Sequence, residues 1–193
     1  IDNANKLGYK IKLLGFAELL NNKVYQRVHP TLIRKESYVA GIDGVLNAVI
    51  VDAIPVGQSI IQGEGAGAAA TTSALVSDIS SILRGNIKFP FSISSNERKY
   101  LKFNKIDERS FSAYLRFEVL DKPGVLSNIT NIFSKNNVSI KRLLQNPDKN
   151  KHVSSIIIVT HKSKNKSLTK ILGEVTKKKY LKRKPKLIRI DEI

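Results

Sequence analysis

The stretch from Ala113 to Ile190 constrains the fold most, because its apolar residues switch period repeatedly in an order that few architectures accept. "AYLRFEVL" alternates with the period-two spacing of a strand, and "DKPG" breaks it. "VLSNITNIFSKN" then takes helical spacing, with Leu126, Ile129, Ile132 and Phe133 on one face and Asn136 and Asn137 suited to its end. "VSIKRLLQ" returns to strand, "NPDKNK" turns, and "HVSSIIIVT" is a β-branched strand. A helix from about Lys166 to Lys178 and a final strand "PKLIRI" complete the series. The order is βαββαβ, which predicts a four-stranded sheet with both helices on one face.

That order is the ferredoxin-like arrangement. Within it the turn has a readable chemistry. Pro123 pre-sets the backbone, and Gly124 leaves N–H groups open at a helix start, where a carboxylate can bind. A well-formed turn without a ligand is the alternative. The stretch "VLDKPGVLSNITNIFSKNNVSIKRLLQ" closely resembles an ACT domain, a regulatory module that commonly binds amino acids. The resemblance implies a ligand held between paired ACT domains by the turn and the start of the second strand. Asp121, Gly124, Val125 and Ser139 occupy those positions here. It implies L-threonine as the leading effector and a homo-oligomer built through ACT pairing, although some such modules serve assembly only.

The N-terminal half is less periodic. The opening "IDNANKLGYKIKLLGFAELL" reads as a helix, with Asp2 as cap and Ala4, Leu7, Ile11 and Leu14 on one face, interrupted by Gly8 and Gly15. On this reading Lys6, Lys10 and Lys12 are exposed helix residues. "KVYQRVHPTLI" is β-rich and stopped by Pro30. "GVLNAVIVDAIPVGQSIIQ" looks like two paired strands, and Leu75, Ile79, Ile82 and Leu83 mark a helix that Gly85 ends. Residues 87–112 mix aromatic, charged and turn-forming residues without sustained period. The expected organisation is therefore a first domain over 1–86, a linker over 87–112 and a second domain over 113–193.

Between the second strand and that helix lies "GEGAGAAATTSALVSDI". Glycines at a strand-to-helix turn let the main chain approach an anionic or bulky group, as in a cofactor site, or simply form a tight turn with close packing. The run satisfies neither the G-x-G-x-x-G fingerprint nor a P-loop. "LGYKIKLLGFAE", "RVHPTLI", "GVLNAVIV" and this glycine run, in this order and spacing, resemble the later part of the catalytic domain of homoserine dehydrogenase. The resemblance implies a nicotinamide cofactor, NAD(P), contacted first by Gly67 and next by Gly65 and Ala66. The family commonly has Pro and Thr-Ala-Ser after the glycines where this chain has "AATTSA", which weakens the placement of Thr71, Thr72 and Ser73. The reaction implied is interconversion of L-homoserine and L-aspartate 4-semialdehyde, in aspartate-derived amino-acid biosynthesis leading to threonine and methionine. The family's nucleotide-binding portion and catalytic Lys are expected upstream of Ile1, so no catalytic residue is assigned in this chain and it is expected to be inactive alone.

Composition narrows the remaining classes. The 193 residues contain no Cys, Met or Trp, which excludes disulfides and thiolate metal sites. His29, His152 and His161 lack metal-motif spacing, so no metal site is expected. His29, in "RVHP", reads as a structural hydrogen-bonding residue. The net charge of +17 is uneven: residues 1–86 carry 8 Lys/Arg against 7 Asp/Glu, and residues 87–193 carry 25 against 9. Its densest part, "KKKYLKRKPK", holds one aromatic, so it reads as a solvated Lys-rich face rather than a nucleic-acid platform. No segment has the length of a membrane span and no signal peptide is visible, so the cytoplasm is expected. The overall expectation is an α/β part of a homoserine dehydrogenase catalytic domain joined to an α+β ACT domain. A non-catalytic amino-acid-sensing or assembly module is the alternative.

Overall fold

The computed structural model describes residues 1–86, 93–103, 109–148 and 152–192. In chain order the elements are α1 (Asp2–Lys6), β1 (Tyr9–Leu20), β2 (Lys23–Arg34), β3 (Leu46–Ala53), β4 (Gly57–Glu64), α2 (Ala68–Leu83), β5 (Lys102–Phe103), β6 (Ser110–Leu120), α3 (Val125–Lys135), β7 (Ile140–Asp148), β8 (Val153–Thr160), β9 (Ser163–Lys164), α4 (Asn165–Thr176) and β10 (Leu181–Asp191). Short 3-10 turns lie at Tyr38–Gly41 and Ser95–Glu97.

The βαββαβ series is present as β6-α3-β7-β8-α4-β10. Its strands are ordered β10-β6-β8-β7 and all antiparallel, the ferredoxin-like topology. The period-two runs explain the packing. Leu115, Phe117, Val119, Ile156 and Ile158 point to one side of the sheet, where they meet Ile129 and Phe133 of α3 and Leu168, Ile171 and Val175 of α4. The Phe117 and Phe133 rings meet edge to face with centroids 6.2 Å apart. Asn136 ends α3 by donating from Nδ2 to Ile132 O (2.8 Å) and to Glu174 Oε1 on α4 (3.1 Å).

The opening segment differs from the expected helix. Only Asp2–Lys6 is helical; Gly8 turns the chain at φ +82, and residues 9–20 are strand β1. Asn21 and Asn22 both take positive φ, 51° and 56°, forming the two-residue hairpin turn that leads into β2. Lys10 and Lys12 are thus half-buried strand residues, and only Lys6 is an exposed helix residue. Pro30 does not stop β2, which runs to Arg34. On its far side β2 is engaged at Lys23 and Val24 by β5 and at Thr31 to Ile33 by β10, and among the described residues Pro30 falls between these two pairings.

Through the parallel β2–β10 pairing the hairpin extends the sheet to β1-β2-β10-β6-β8-β7. Packing groups the chain into two compact units. One unit is Ile1–Arg34 with Lys102–Ile193, and the other is Lys35–Leu101. On the sheet face away from α3 and α4, Ala4, Leu7 and Tyr9 cover Leu32, Tyr114, Ile157, Val159 and Ile190 in a second small core. The 87–112 linker falls partly outside the described residues; within it lie β5 and the start of β6.

The second unit holds the expected hairpin, β3 antiparallel to β4 in a sheet of its own, followed by α2. Gly85 takes φ +73 just past α2, as a C-terminal glycine does. Within this unit α2 buries no residue, and Leu75, Ile79, Ile82 and Leu83 are exposed.

Candidate functional site

The turn after β6 builds the most developed site. Asp121 N donates to His152 O (3.0 Å) and Lys122 N to Leu120 O (3.1 Å), which fixes the chain as it leaves the strand. Gly124 takes φ +83, ψ −14, a left-handed conformation that bends the backbone into α3. No side chain caps α3, so its N-terminal dipole faces outward. A cleft of about 460 Å³ opens there, within the range of small-molecule sites. Its floor is Val119 and Ile156, and its rim is the Asp121–Gly124 turn with Val125 and Leu126.

Three of the four expected effector residues, Asp121, Gly124 and Val125, line this cleft. Ser139 does not. It precedes β7 at the opposite end of that strand, where its carbonyl accepts from His161 N (3.0 Å). Gln145 takes a place in the cleft that the sequence reading missed, with Nε2 3.5 Å from Asp121 Oδ1. Period-two counting from Leu143, which packs into the helix-side core, puts Gln145 on that same face, and its partner Ile156 confirms the register. The arrangement offers a helix N-terminus for an anionic group, a carboxylate and an amide for polar groups, and an apolar floor for a short side chain.

The glycine run forms the second candidate. Gly67 is the N-cap of α2 at φ 121, ψ 151, again with no side-chain cap. The position a Cβ would take on Gly67 has nothing within 4 Å, so its main chain is open to an incoming group. A Cβ on Gly65 would meet the end of the exposed Asn47 side chain, which can turn aside. Gly65 N also donates to Val45 O (2.8 Å). Ala66 is exposed between them. Thr71 Oγ1 donates back to Gly67 O (2.9 Å), while Thr72 and Ser73 are exposed in the next turn of α2. An open, uncapped helix start with glycine main chain fits a phosphate-bearing cofactor.

His29 lies in β2 beside Thr31, with its Nδ1 2.8 Å from Thr31 Oγ1. Burial lowers its pKa, and Arg27 and Arg189 add to this against the Pro30 carbonyl and Asp191, which raise it. Its surroundings favour a neutral, hydrogen-bonding imidazole. Among the described residues no group of three or more His, Cys, Asp or Glu could hold a metal. No helix among them is long and apolar enough to cross a membrane. Of the basic run, Lys182, Arg183 and Lys184 are exposed on β10, where Arg183 pairs with Glu118 (3.2 Å).

Residues 1–80 match the family model for homoserine dehydrogenase, and residues 113–178 match that for the ACT domain. The whole chain aligns at 33% identity with a homoserine dehydrogenase of Neisseria gonorrhoeae, covering 46% of it. A second, from Helicobacter pylori, is 33% identical over 97% of this chain and 44% of its own length. Among solved structures, the homoserine dehydrogenase of Thiobacillus denitrificans superposes on all of this chain with a TM-score of 0.86 at 30% identity, again over 44% of its length. The chain thus spans less than half the length of the relatives it matches.

Proposed function

We propose that this chain, which belongs to the homoserine dehydrogenase family over residues 1–80 and carries an ACT domain over residues 113–178, is the effector-sensing part of an NAD(P)-dependent homoserine dehydrogenase. The cleft at the uncapped start of α3 carries the reading. An amino acid enters with its carboxylate toward the Gly124 turn and its polar groups toward Asp121 and Gln145. L-threonine, an end product of the pathway implied, is the effector, and Val119 and Ile156 accommodate its methyl group. Two ACT domains pair to complete the site, which gives Ser139 a role from the neighbouring copy.

In the whole enzyme the substrates are L-homoserine and L-aspartate 4-semialdehyde, and the compartment is the cytoplasm. Gly67, then Gly65 and Ala66, bring main chain to the cofactor, which supplies the hydride acceptor when bound. The proton-transferring residues are assigned outside these 193. Two measurements test the reading. L-threonine should raise the thermal midpoint of the chain, since a ligand that binds only the native state stabilises it; an unchanged midpoint at millimolar threonine argues for an assembly module. The purified chain should form no NAD(P)H from L-homoserine, and homoserine-dependent formation overturns the assignment of the chemistry elsewhere.

A further inference from the structure

The hairpin β1–β2 lies within the homoserine dehydrogenase match, yet it is an extension of the ACT sheet, held through β10. We propose that this junction, locked by Arg27 and Asp191, is the device through which occupancy of the α3 cleft is read by the enzyme segment. The inference rests on the effector reading above.

Strand β6 is the lever. At one end Val119 and Leu120 line the cleft and lead into Asp121. At the other, Ser112 and Ala113 lie opposite Ile190 and Arg189 of β10, which in turn pair with Leu32 and Thr31 of β2. Between β10 and β6 the register is regular from Lys186 to Ile190 and irregular from Leu181 to Lys186. The irregular pairing therefore sits at the cleft end, and the regular ladder runs through the end that contacts β2.

The junction itself is small and polar. Only three residue pairs join β10 to β2. Two ion pairs run in opposite senses across it: Arg27 of the hairpin grips both oxygens of Asp191 (2.6 and 2.5 Å), and Arg109, just before β6, pairs with Glu18 of the hairpin. The Arg27 and Asp191 side chains are 10% and 16% exposed, so solvent screens them little. Both arginines also lie over hairpin rings, Arg27 at 4.9 Å from the Phe16 centroid and Arg109 at 4.1 Å from that of Tyr25.

This polar network is incompletely matched. Arg27 Nε, Arg189 Nε and His29 Nε2 are buried without a hydrogen-bond partner, and all three lie at the junction. Buried polar groups are ordinarily satisfied, so a rearrangement of the junction that gave these three atoms partners would be favoured by the hydrogen bonds it forms. An effector shifts this junction only to the extent that it binds one arrangement of it better than another.

The test uses amide hydrogen exchange on the full 193-residue chain. L-threonine, at a concentration that calorimetry shows to be saturating, should change exchange in residues 23–34, and Asp191→Asn and Glu18→Gln should each abolish that change. By reciprocity the same substitutions should move the threonine dissociation constant, by about fivefold or more. Protection of Ile156–Val159 in β8 reports whether each variant is folded. Unchanged exchange in residues 23–34 of the saturated wild type overturns the proposal, as does a change that survives both substitutions in folded protein. If calorimetry shows no threonine binding, the effector reading fails, and Gly124→Val then tests the junction alone. Distortion of the turn should alter exchange in residues 23–34, and no alteration overturns the coupling independently.

Discussion

Replacing Gly124 by alanine isolates what the turn contributes. At φ +83 an L-residue is strained by about 1–2 kcal/mol. The added Cβ meets nothing within 4 Å, so no steric cost adds to this. Alanine restricts the unfolded chain more than glycine and returns roughly 0.4–1 kcal/mol. The net loss is about 1 kcal/mol, which lowers the urea midpoint by about 0.3–1 M for a slope of about 1–3 kcal/mol/M. Asparagine tolerates the left-handed region better, so Gly124→Asn should lose less than Gly124→Ala. Urea unfolding followed by circular dichroism, with the three proteins side by side, measures both differences. A loss above about 3 kcal/mol would show the Cβ meeting a packed neighbour, and no loss would show that Gly124 is not left-handed; either refutes the turn as described.

Gly65→Ala should shift the thermal midpoint little, because its Cβ meets the far end of the exposed Asn47 side chain, which can rotate aside, and a loss above about 1 kcal/mol would show that Asn47 is held in place. Phe133→Ala removes a fully buried ring that meets Phe117 and should cost about 3–5 kcal/mol in the same urea assay. His29 has a folded pKa below its ordinary 6.5, with burial the main cause and Arg27 and Arg189 facing it alongside Asp191. The unfolded chain therefore takes up this proton first as pH falls, so stability should decline from 6.5 down to the lowered value, and His29→Gln should flatten that slope in midpoints measured from about pH 7.5 to about 5.5. Gly67 sits at φ +121, so Gly67→Val is strained in any case, and its effect on a full-length enzyme speaks for a cofactor contact only if cofactor affinity falls while the folded fraction holds.

The C-terminal half was legible because each of its elements buries one face, and a single buried face imposes a clean period. The β6, α3 and α4 runs show it directly, and the cleft follows from the turn between the first two. The hairpin was not legible in this way. Ile11 and Leu14 satisfy a helical spacing, yet in β1 they lie on opposite faces, one toward the small core beneath α1 and the other beside His29. With apolar residues on both faces the period-two signal is blurred. The informative signal was Asn21–Asn22, whose side chains tolerate the positive φ of a two-residue turn. The β2–β10 junction has no local signature at all, since three parallel pairs join residues some 158 apart in sequence, as between Thr31 and Arg189. Gln145 was recoverable only once the register of β7 against β8 was known.

Calorimetric titration of L-threonine into the 193-residue chain tests the central claim most directly. The account predicts a saturable heat that is lost in Gly124→Val and weakened in Asp121→Ala, with both variants still folded by hydrogen exchange. No heat at millimolar threonine, or heat that both folded variants retain in full, contradicts an effector site at the start of α3.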